Sequence, residues 1–352
     1  MTARPARLFL TGVGLILFLC GSFFIWTLWA SSGGLPAGSL AQVKRFPVAS
    51  SKDSFSETFT VMTYNIGYLS GMSNNLPVRE SRGFFLRNLK TVASLLQDVR
   101  PDFVGFQEID FGAHRSYGMN QLDSLALQAA YPQAAVAVNW DKNYVPYPYW
   151  PPKVHFGRVL SGQAVLSRYP ILSHERVVLP RPEDSPAYYD AFYLDRLAEV
   201  VTVDVGRPLV LINVHLEAYD TATRVRQVKA LVRVCEKYVA DFPLLLIGDF
   251  NSLPPSFDPR KLGSAEFEAA ARRDSTIALL LAQTGLKDAF PDSFYTAHER
   301  ETYTFSSAAP QVKIDYVFYN ATKIEPVQWF VATGAGQASD HLPVVVRFKL
   351  KG

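Results

Sequence analysis

From about residue 58 onward the chain is a succession of short apolar or alternating runs, each bounded by turn residues, at 59–64, 103–106, 162–166, 198–205, 209–214, 244–247, 316–319 and 344–348. Runs of roughly four to eight residues rich in Val, Ile, Leu, Phe and Tyr are strand-sized and too short for helices. Helical spacing appears in only some of the intervals. Phe84, Phe85, Leu89, Val92, Leu95, Leu96 and Val99 lie before Pro101, and Val225, Val228, Leu231, Val232 and Cys235 follow Thr223. With strands outnumbering helices and helices placed irregularly, packed sheets with flanking helices are predicted rather than a regular doubly wound sheet. The segment 139–157 (NWDKNYVPYPYWPPKVHFG) is crowded with aromatics and prolines and is expected to be an ordered, exposed loop.

The N-terminal part is of another kind. Residues 8–30 are 23 consecutive positions without a charged side chain. As a helix they would extend about 35 Å, against a hydrocarbon core of roughly 30 Å. Arg4 and Arg7 precede the run and no basic residue follows until Lys44. The positive-inside rule therefore places residues 1–7 in the cytoplasm and the bulk of the chain outside. The alternative is a signal peptide cleaved to release a secreted domain. Against it, the run exceeds the ~7–15-residue core of such peptides, and Ala30-Ser31-Ser32 is a weak cleavage site. A single-pass anchor at 8–30 is expected, then a flexible Ser/Gly/Pro/Ala-rich linker at 31–56 and one folded domain at 57–352. Cys20 lies in the apolar run and Cys235 in a helical pattern, which suggests neither a disulfide framework nor CxxC chemistry.

Residues 1–54 hold five of the chain's 35 basic residues (Arg4, Arg7, Lys44, Arg45, Lys52) and one of its 32 acidic ones (Asp53), so the folded domain is close to neutral. Proteins that grip nucleic acid without sequence preference carry a clear basic excess, so nucleic acid is not the favoured partner.

Polar residues with chemical potential sit where the apolar runs end. Asn65 closes TVMTYN, Glu108 closes FVGFQE, His215 closes LINVH, and Asp249 and Asn251 follow LLLIG. Asp315 lies in KIDYVF, and Ser339, Asp340 and His341 precede LPVVVRF. Side chains at strand ends can converge on one rim of a sheet pair. Singly, each has an ordinary structural reading as a turn former or a solvated group. Together they supply hard oxygen ligands, two imidazoles and carboxamides, the groups needed to hold Mg²⁺ or Mn²⁺, activate water and stabilise a phosphoryl transition state.

In their order and separation, TYNIG, FQE, NVHLE, GDFNS, KIDYVF and SDHLPV resemble the endonuclease/exonuclease/phosphatase superfamily over about residues 58–350. That superfamily includes pancreatic-type DNases, abasic-site endonucleases, neutral sphingomyelinases and inositol-polyphosphate 5-phosphatases. The resemblance implies an α/β fold, a four-layer sandwich of two mixed sheets face to face with helices outside and the site at one edge. It implies Glu108 and Asn65 as metal ligands with Asp340 completing the shell, and Asp249 and Asn251 orienting water and contacting phosphate. It further implies His215 donating to a phosphate oxygen, and His341, oriented by Asp315, as general base or charge stabiliser. His174 and His298 fall outside every motif. Two positions depart from the abasic-site enzymes, Gly67 where they have an acid and Leu160 where they have a tyrosine, while SGQAVLSRYPI looks like sphingomyelinase-like and bacterial members.

The expected function is a membrane-anchored, Mg²⁺- or Mn²⁺-dependent phosphoesterase acting as a monomer on a phosphodiester such as a phospholipid headgroup. A tethered exported nuclease and a catalytically silent binding module are the alternatives. The last is disfavoured because every expected catalytic position carries a competent residue.

Overall fold

The computed structural model describes residues 3–48 and 58–352. Two sheets face each other. The first has seven strands: β1 (Ala41–Arg45), β2 (Thr58–Asn65), β3 (Phe103–Asp110), β4 (Gln133–Val145), β5 (Gly157–Ser167), β12 (Ile324–Val331) and β13 (Val344–Leu350), in the order β1-β4-β5-β3-β2-β13-β12. The second has six: β6 (Ile171–Val178), β7 (Leu197–Asp204), β8 (Pro208–His215), β9 (Leu244–Asp249), β10 (Lys287–Asp288) and β11 (Asp315–Tyr319), in the order β10-β11-β9-β8-β7-β6. Pairing is mixed, with β2–β3 and β8–β9 parallel. The helices are α1 (Ala3–Ser31), α2 (Arg82–Val99), α3 (Gln121–Gln128), α4 (Ala187–Phe192), α5 (Thr221–Glu236), α6 (Ala265–Arg273), α7 (Thr276–Thr284) and α8 (Asp292–His298).

The two-residue period of a strand sorts side chains into layers. Phe59 and Val61 of β2, Leu209 and Leu211 of β8, and Leu245 and Ile247 of β9 meet in a core between the sheets. Their neighbours Met62 and Tyr64 pack outward with Leu89, Val92 and Leu96 of α2. On the other side Val210, Ile212, Leu244 and Leu246 pack outward with Val228, Leu231 and Val232 of α5 and Leu280 of α7. The result is the predicted four-layer α/β sandwich. α2 begins where Ser81 accepts from the Phe84 N–H, and α5 where Asp220 accepts from Ala222 and Thr223, both N-caps of the expected kind.

All eight runs read as strands are strands, several of them longer than their apolar portion. β1, β4, β6, β10 and β12 are not among the runs read from the sequence; four of these five, all but the interior β4, are edge strands with polar or proline-containing sequences that need only one covered face. The stretch 31–56 therefore differs from the linker expected. β1 pairs antiparallel with β4, Lys44 forms an ion pair with Asp123 of α3, and Leu35, Leu40 and Phe46 pack on the core. The remainder of that stretch, from residue 49, and the boundary at 57 lie outside the described residues, as do residues 1 and 2 of the N-terminal segment. The expected loop at 139–157 is a strand as far as Val145, because β4 continues along β5 past bulges at Val138/Trp140 and Lys142/Val145.

Gly248 decides how closely β8 and β9 approach beneath His215 and Asp249. Its φ is +142°, and a Cβ there would lie 2.0 Å from the Val214 carbonyl oxygen of the paired strand. Gly248→Ala is expected to cost about 3 kcal/mol or more through steric overlap and backbone strain. Gly263→Ala, at φ +69° with open space around it, should cost about 1 kcal/mol. Thermal melts of the two variants check this, and equal midpoints would show that the close approach is not a constraint.

Candidate active site

The parity that fills the inter-sheet core also delivers the polar residues. Thr63 and Asn65 continue the inward positions of β2, Asn213 and His215 those of β8, and Asp249 that of β9. β11 runs antiparallel to β9, so Asp315 at its start pairs with Asp249 at the end of β9. β13 runs antiparallel to β2, with Val344 opposite Thr63, which brings the preceding Asp340 and His341 to the same edge. Glu108 reaches this edge differently. The β3–β5 register shifts between Phe106 and Ile109, and Glu108 takes φ +51°. Asn251 likewise has φ +48°. Two non-glycine residues held left-handed at one rim are stored strain of the kind found at functional sites.

The structure brings all eight sequence-predicted site residues into one cluster. The His341 Nδ1 lies 2.9 Å from Asp315 Oδ2, and its Nε2 3.8 Å from Asp249 Oδ2. The Asn65 amide donates to Asp249 Oδ2 at 3.0 Å, while the Asn251 backbone N–H donates to Asp249 Oδ1 at 2.8 Å. The Asn251 side chain is itself fixed by donating to the Leu216 carbonyl. His215 Nε2 lies 3.5 Å from Asp249 and 3.8 Å from Glu108. Ser339 Oγ donates to the Asn65 carbonyl and accepts from the His341 N–H, tying the β13 approach to the end of β2. Phe305 packs on the imidazole of His341 at 4.9 Å between ring centroids.

Burial and neighbouring carboxylates set the charge states. Burial and the Asp315 carboxylate push Asp249 up to about 7. Burial works against a charge on His341, yet Asp315 and Asp249 together hold it well above the ordinary histidine value. His215 goes the other way, lowered by burial and by the positive charges of Arg196 and His341, and stays neutral. Glu108 is raised by burial and by the facing Asp340 carboxylate. These two carboxylates share one side-chain amide, that of Asn74, which lies 2.9 Å from Glu108 and 3.4 Å from both Asp340 oxygens. Crowded carboxylate and carboxamide oxygens with no thiolate nearby fit a hard divalent cation. A second group, Asp249, Asp315 and His341, offers ligand atoms that all lie within 4.8 Å of one another. Its imidazole is engaged with Asp315, which suits it to proton handling beside the carboxylate-rich end.

Several site residues had no motif to announce them. Asn74 comes from the loop after β2, where a lone Asn reads as a turn former. Arg196 precedes β7. Its side chain is almost fully buried, ion-paired to Glu217 at 3.6 Å, and its Nε and Nη1 have no hydrogen-bond partner among the described residues. Its charge acts on both Glu108 and His215. Gly67 sits at φ +50°, and a Cβ there would lie 2.7 Å from Asp340 Oδ1, so no acidic side chain fits at that place. His174, outside every motif, is buried 3.3 Å from Glu199. It belongs to a polar layer beneath the site in which Asn213 joins Gln107, Glu199 and the Phe106 carbonyl.

Residues 62–341 match the model of the Endonuclease/Exonuclease/phosphatase family. No curated protein matches the chain. Among solved structures, an endonuclease/exonuclease/phosphatase from Beutenbergia cavernae is 23% identical with a TM-score of 0.57, covering 84% of this chain and 72% of that one. The human Nocturnin catalytic domain with bound sulfate is 16% identical with a TM-score of 0.54, over 90% of this chain and all of that one. D. rerio TDP2 complexed with single strand DNA product is 16% identical with a TM-score of 0.54, over 84% and 100%. At these identities the structures testify to a shared fold. The family match spans most of the chain and contains every residue of the cluster, and the chain belongs to the endonuclease/exonuclease/phosphatase family.

Proposed function

We propose that the protein is a membrane-anchored phosphodiesterase that uses Mg²⁺ or Mn²⁺ and acts on a lipid headgroup or a similar small phosphodiester. The observation that carries this reading is the assembly at one rim of a His341–Asp315 dyad, a raised Asp249 and the Glu108–Asp340 carboxylate pair. Glu108, Asp340 and Asn65 would hold the metal, which when bound supplies charge neutralisation and polarises a phosphoryl oxygen. The chain's own residues do the rest. Asn65 and the Asn251 N–H fix the Asp249 carboxylate so that it orients the attacking water and takes its proton. A protonated His341, kept charged by Asp315, stabilises the phosphoryl oxygens as they gain negative charge. Neutral His215 and the Arg196 Nη1 group, which has no hydrogen-bond partner among the described residues, donate to the phosphate.

Two features support a lipid or small substrate over a nucleic acid. Two arginines that interact electrostatically with Glu108, Arg115 and Arg196, are buried and paired with Asp110 and Glu217 rather than forming an exposed track. The domain is also near neutral. The anchor reading is supported by α1, whose span Phe9–Ser31 is exposed over most of its length and apolar enough to cross a bilayer.

Assay of the purified protein against sphingomyelin, phosphoinositides, DNA, RNA and a chromogenic phosphodiester tests the substrate class. Activity should vanish in EDTA and return with Mg²⁺ or Mn²⁺, and full activity in chelator would sink the mechanism. Preferential DNA or RNA cleavage would favour the nuclease.

On the substrate so identified, His341→Ala should lower kcat/KM by about 10²–10⁴-fold and Asp315→Asn by much of that factor. The double variant should be little worse than His341→Ala, because a mispositioned imidazole has little left to lose. Exposed His298 is the neutral control. Losses that simply multiply would show that the two do not act as a unit.

Arg196→Lys, which keeps the charge beside Glu217 but removes the planar fork, should lower kcat/KM by roughly 10–100-fold, the worth of one charged hydrogen bond. Unchanged kinetics would remove Arg196 from the phosphate site.

A further inference from the structure

The end of α1 is not a free tether. The Asn143 amide donates to the Trp29 carbonyl at 3.1 Å and the Lys142 ammonium to the Ser31 carbonyl at 2.8 Å. The Asn143 N–H donates to the Ser32 carbonyl, and the Leu35 N–H to Asp141. The Tyr144 ring also packs against Trp26, 5.9 Å between centroids. Trp26 lies about 7.5 Å along the helix axis from Ser31 at 1.5 Å per residue. Trp26 and Trp29 sit where the outer aromatic belt of a spanning helix belongs. The distal part of β4 is therefore at the depth of the headgroup layer whenever α1 spans a bilayer.

From that joint the connection to β5 carries aromatic side chains outward. Tyr144 Oη lies 2.8 Å from His155 Nδ1, and His155 Nε2 lies 2.9 Å from the Tyr149 carbonyl. Tyr147 is anchored beneath, on Phe156 and through its hydroxyl to the Asn75 carbonyl, next to the Asn74 that binds Glu108. Tyr149 and Trp150 are 71% and 77% exposed, and Tyr219, in the loop after β8, is 84% exposed. Trp and Tyr with open faces are the residues that settle at membrane–water interfaces. We infer that the β4–β5 tip and Tyr219 rest in the headgroup layer of the bilayer that α1 enters, so that the active-site edge faces the membrane surface. This rests on the anchored reading of α1 and adds to it an orientation for the whole domain.

The test uses the full chain in phosphatidylcholine nanodiscs with nitroxide labels, read by collision with oxygen, which concentrates in lipid, and with a water-soluble nickel complex. Native Cys20, in the middle of α1, reports whether the helix is inserted. In a Cys20→Ala background, labels at Trp150→Cys and Tyr219→Cys should collide more with oxygen than with nickel. Asp241→Cys, exposed just before the opposite end of β9, should show the reverse. Labels at 150 and 219 that behave like the one at 241, with Cys20 still in lipid, would overturn the orientation and leave the anchor standing. An aqueous Cys20 label would overturn both.

Discussion

Asn213 is completely buried between the two sheets, and its carboxamide holds them in one register. Its oxygen accepts from Gln107 of β3 at 2.6 Å, and its nitrogen donates to the Phe106 carbonyl and to Glu199 of β7 at 3.0 Å. Gln163 of β5 donates to its backbone carbonyl. One residue of the second sheet thus bonds through its side chain and backbone to two strands of the first. Sheets held only by apolar contact could slide along each other at small cost, whereas a buried amide that loses its partners costs the desolvation of each group, about 1–3 kcal/mol. Gly105 leaves the space for it, since a Cβ there would lie 3.0 Å from the Asn213 oxygen. Immediately beyond this layer, Asn65, Glu108, His215 and Asp249 emerge at the rim. The catalytic geometry is therefore inherited from sheet packing, and the left-handed Glu108 and Asn251 are tolerated because their surroundings are already fixed.

The rim's charge is of the kind that suits a cation. Glu108, Asp249, Asp315 and Asp340 converge where Arg196 and His341 are the facing positive groups. Arg196 is already matched by Glu217, and His341 by Asp315. A phosphodiester brings a further negative charge to a rim where Glu108 and Asp249 are already pushed toward protonation. Glu108, Asp340 and Asn65 would hold a divalent cation, which when bound would offset that repulsion and so favour substrate binding.

The legible part of this arrangement is the part that obeys local rules. Apolar runs gave every central strand but β4, because strands buried on both faces must be apolar, and the helical spacing of 84–99 gave α2. Edge strands β1, β6, β10 and β12 escaped because their outer margins impose no pattern, and the interior β4 escaped because its first half is alanine-rich and its second half lies in the aromatic segment read as a loop. Asn65, Glu108, Asp249 and His341 were legible because they end apolar runs and stand in motifs. Asn74 and Arg196 were not, since each is brought to the rim by a loop whose path depends on contacts distant in sequence. His174 shows the converse. Without a motif nothing in the sequence assigns it a place, whereas pairing with Glu199 across the β6–β7 ladder buries its side chain.

The same logic bears on the N-terminal segment. A Ser/Gly/Pro/Ala-rich stretch predicts freedom, yet composition measures only what a segment can bury by itself. Residues 32–46 bury little of their own surface but borrow partners: the open edge of β4 for β1, Asp141 for the Leu35 amide, Asp123 for Lys44. Each contact closes only a small loop back to the end of α1, so the entropy cost of adding the next one is modest once the first has formed. A helix entering a bilayer already loses most of its rotational freedom, and a short, multiply bonded junction transmits that restriction to β4. Through β4 and β5 it reaches β3 and Glu108. In the anchored reading proposed for α1, the junction with the membrane and the polar rim would be consecutive parts of one sheet, which would favour substrates presented near that surface.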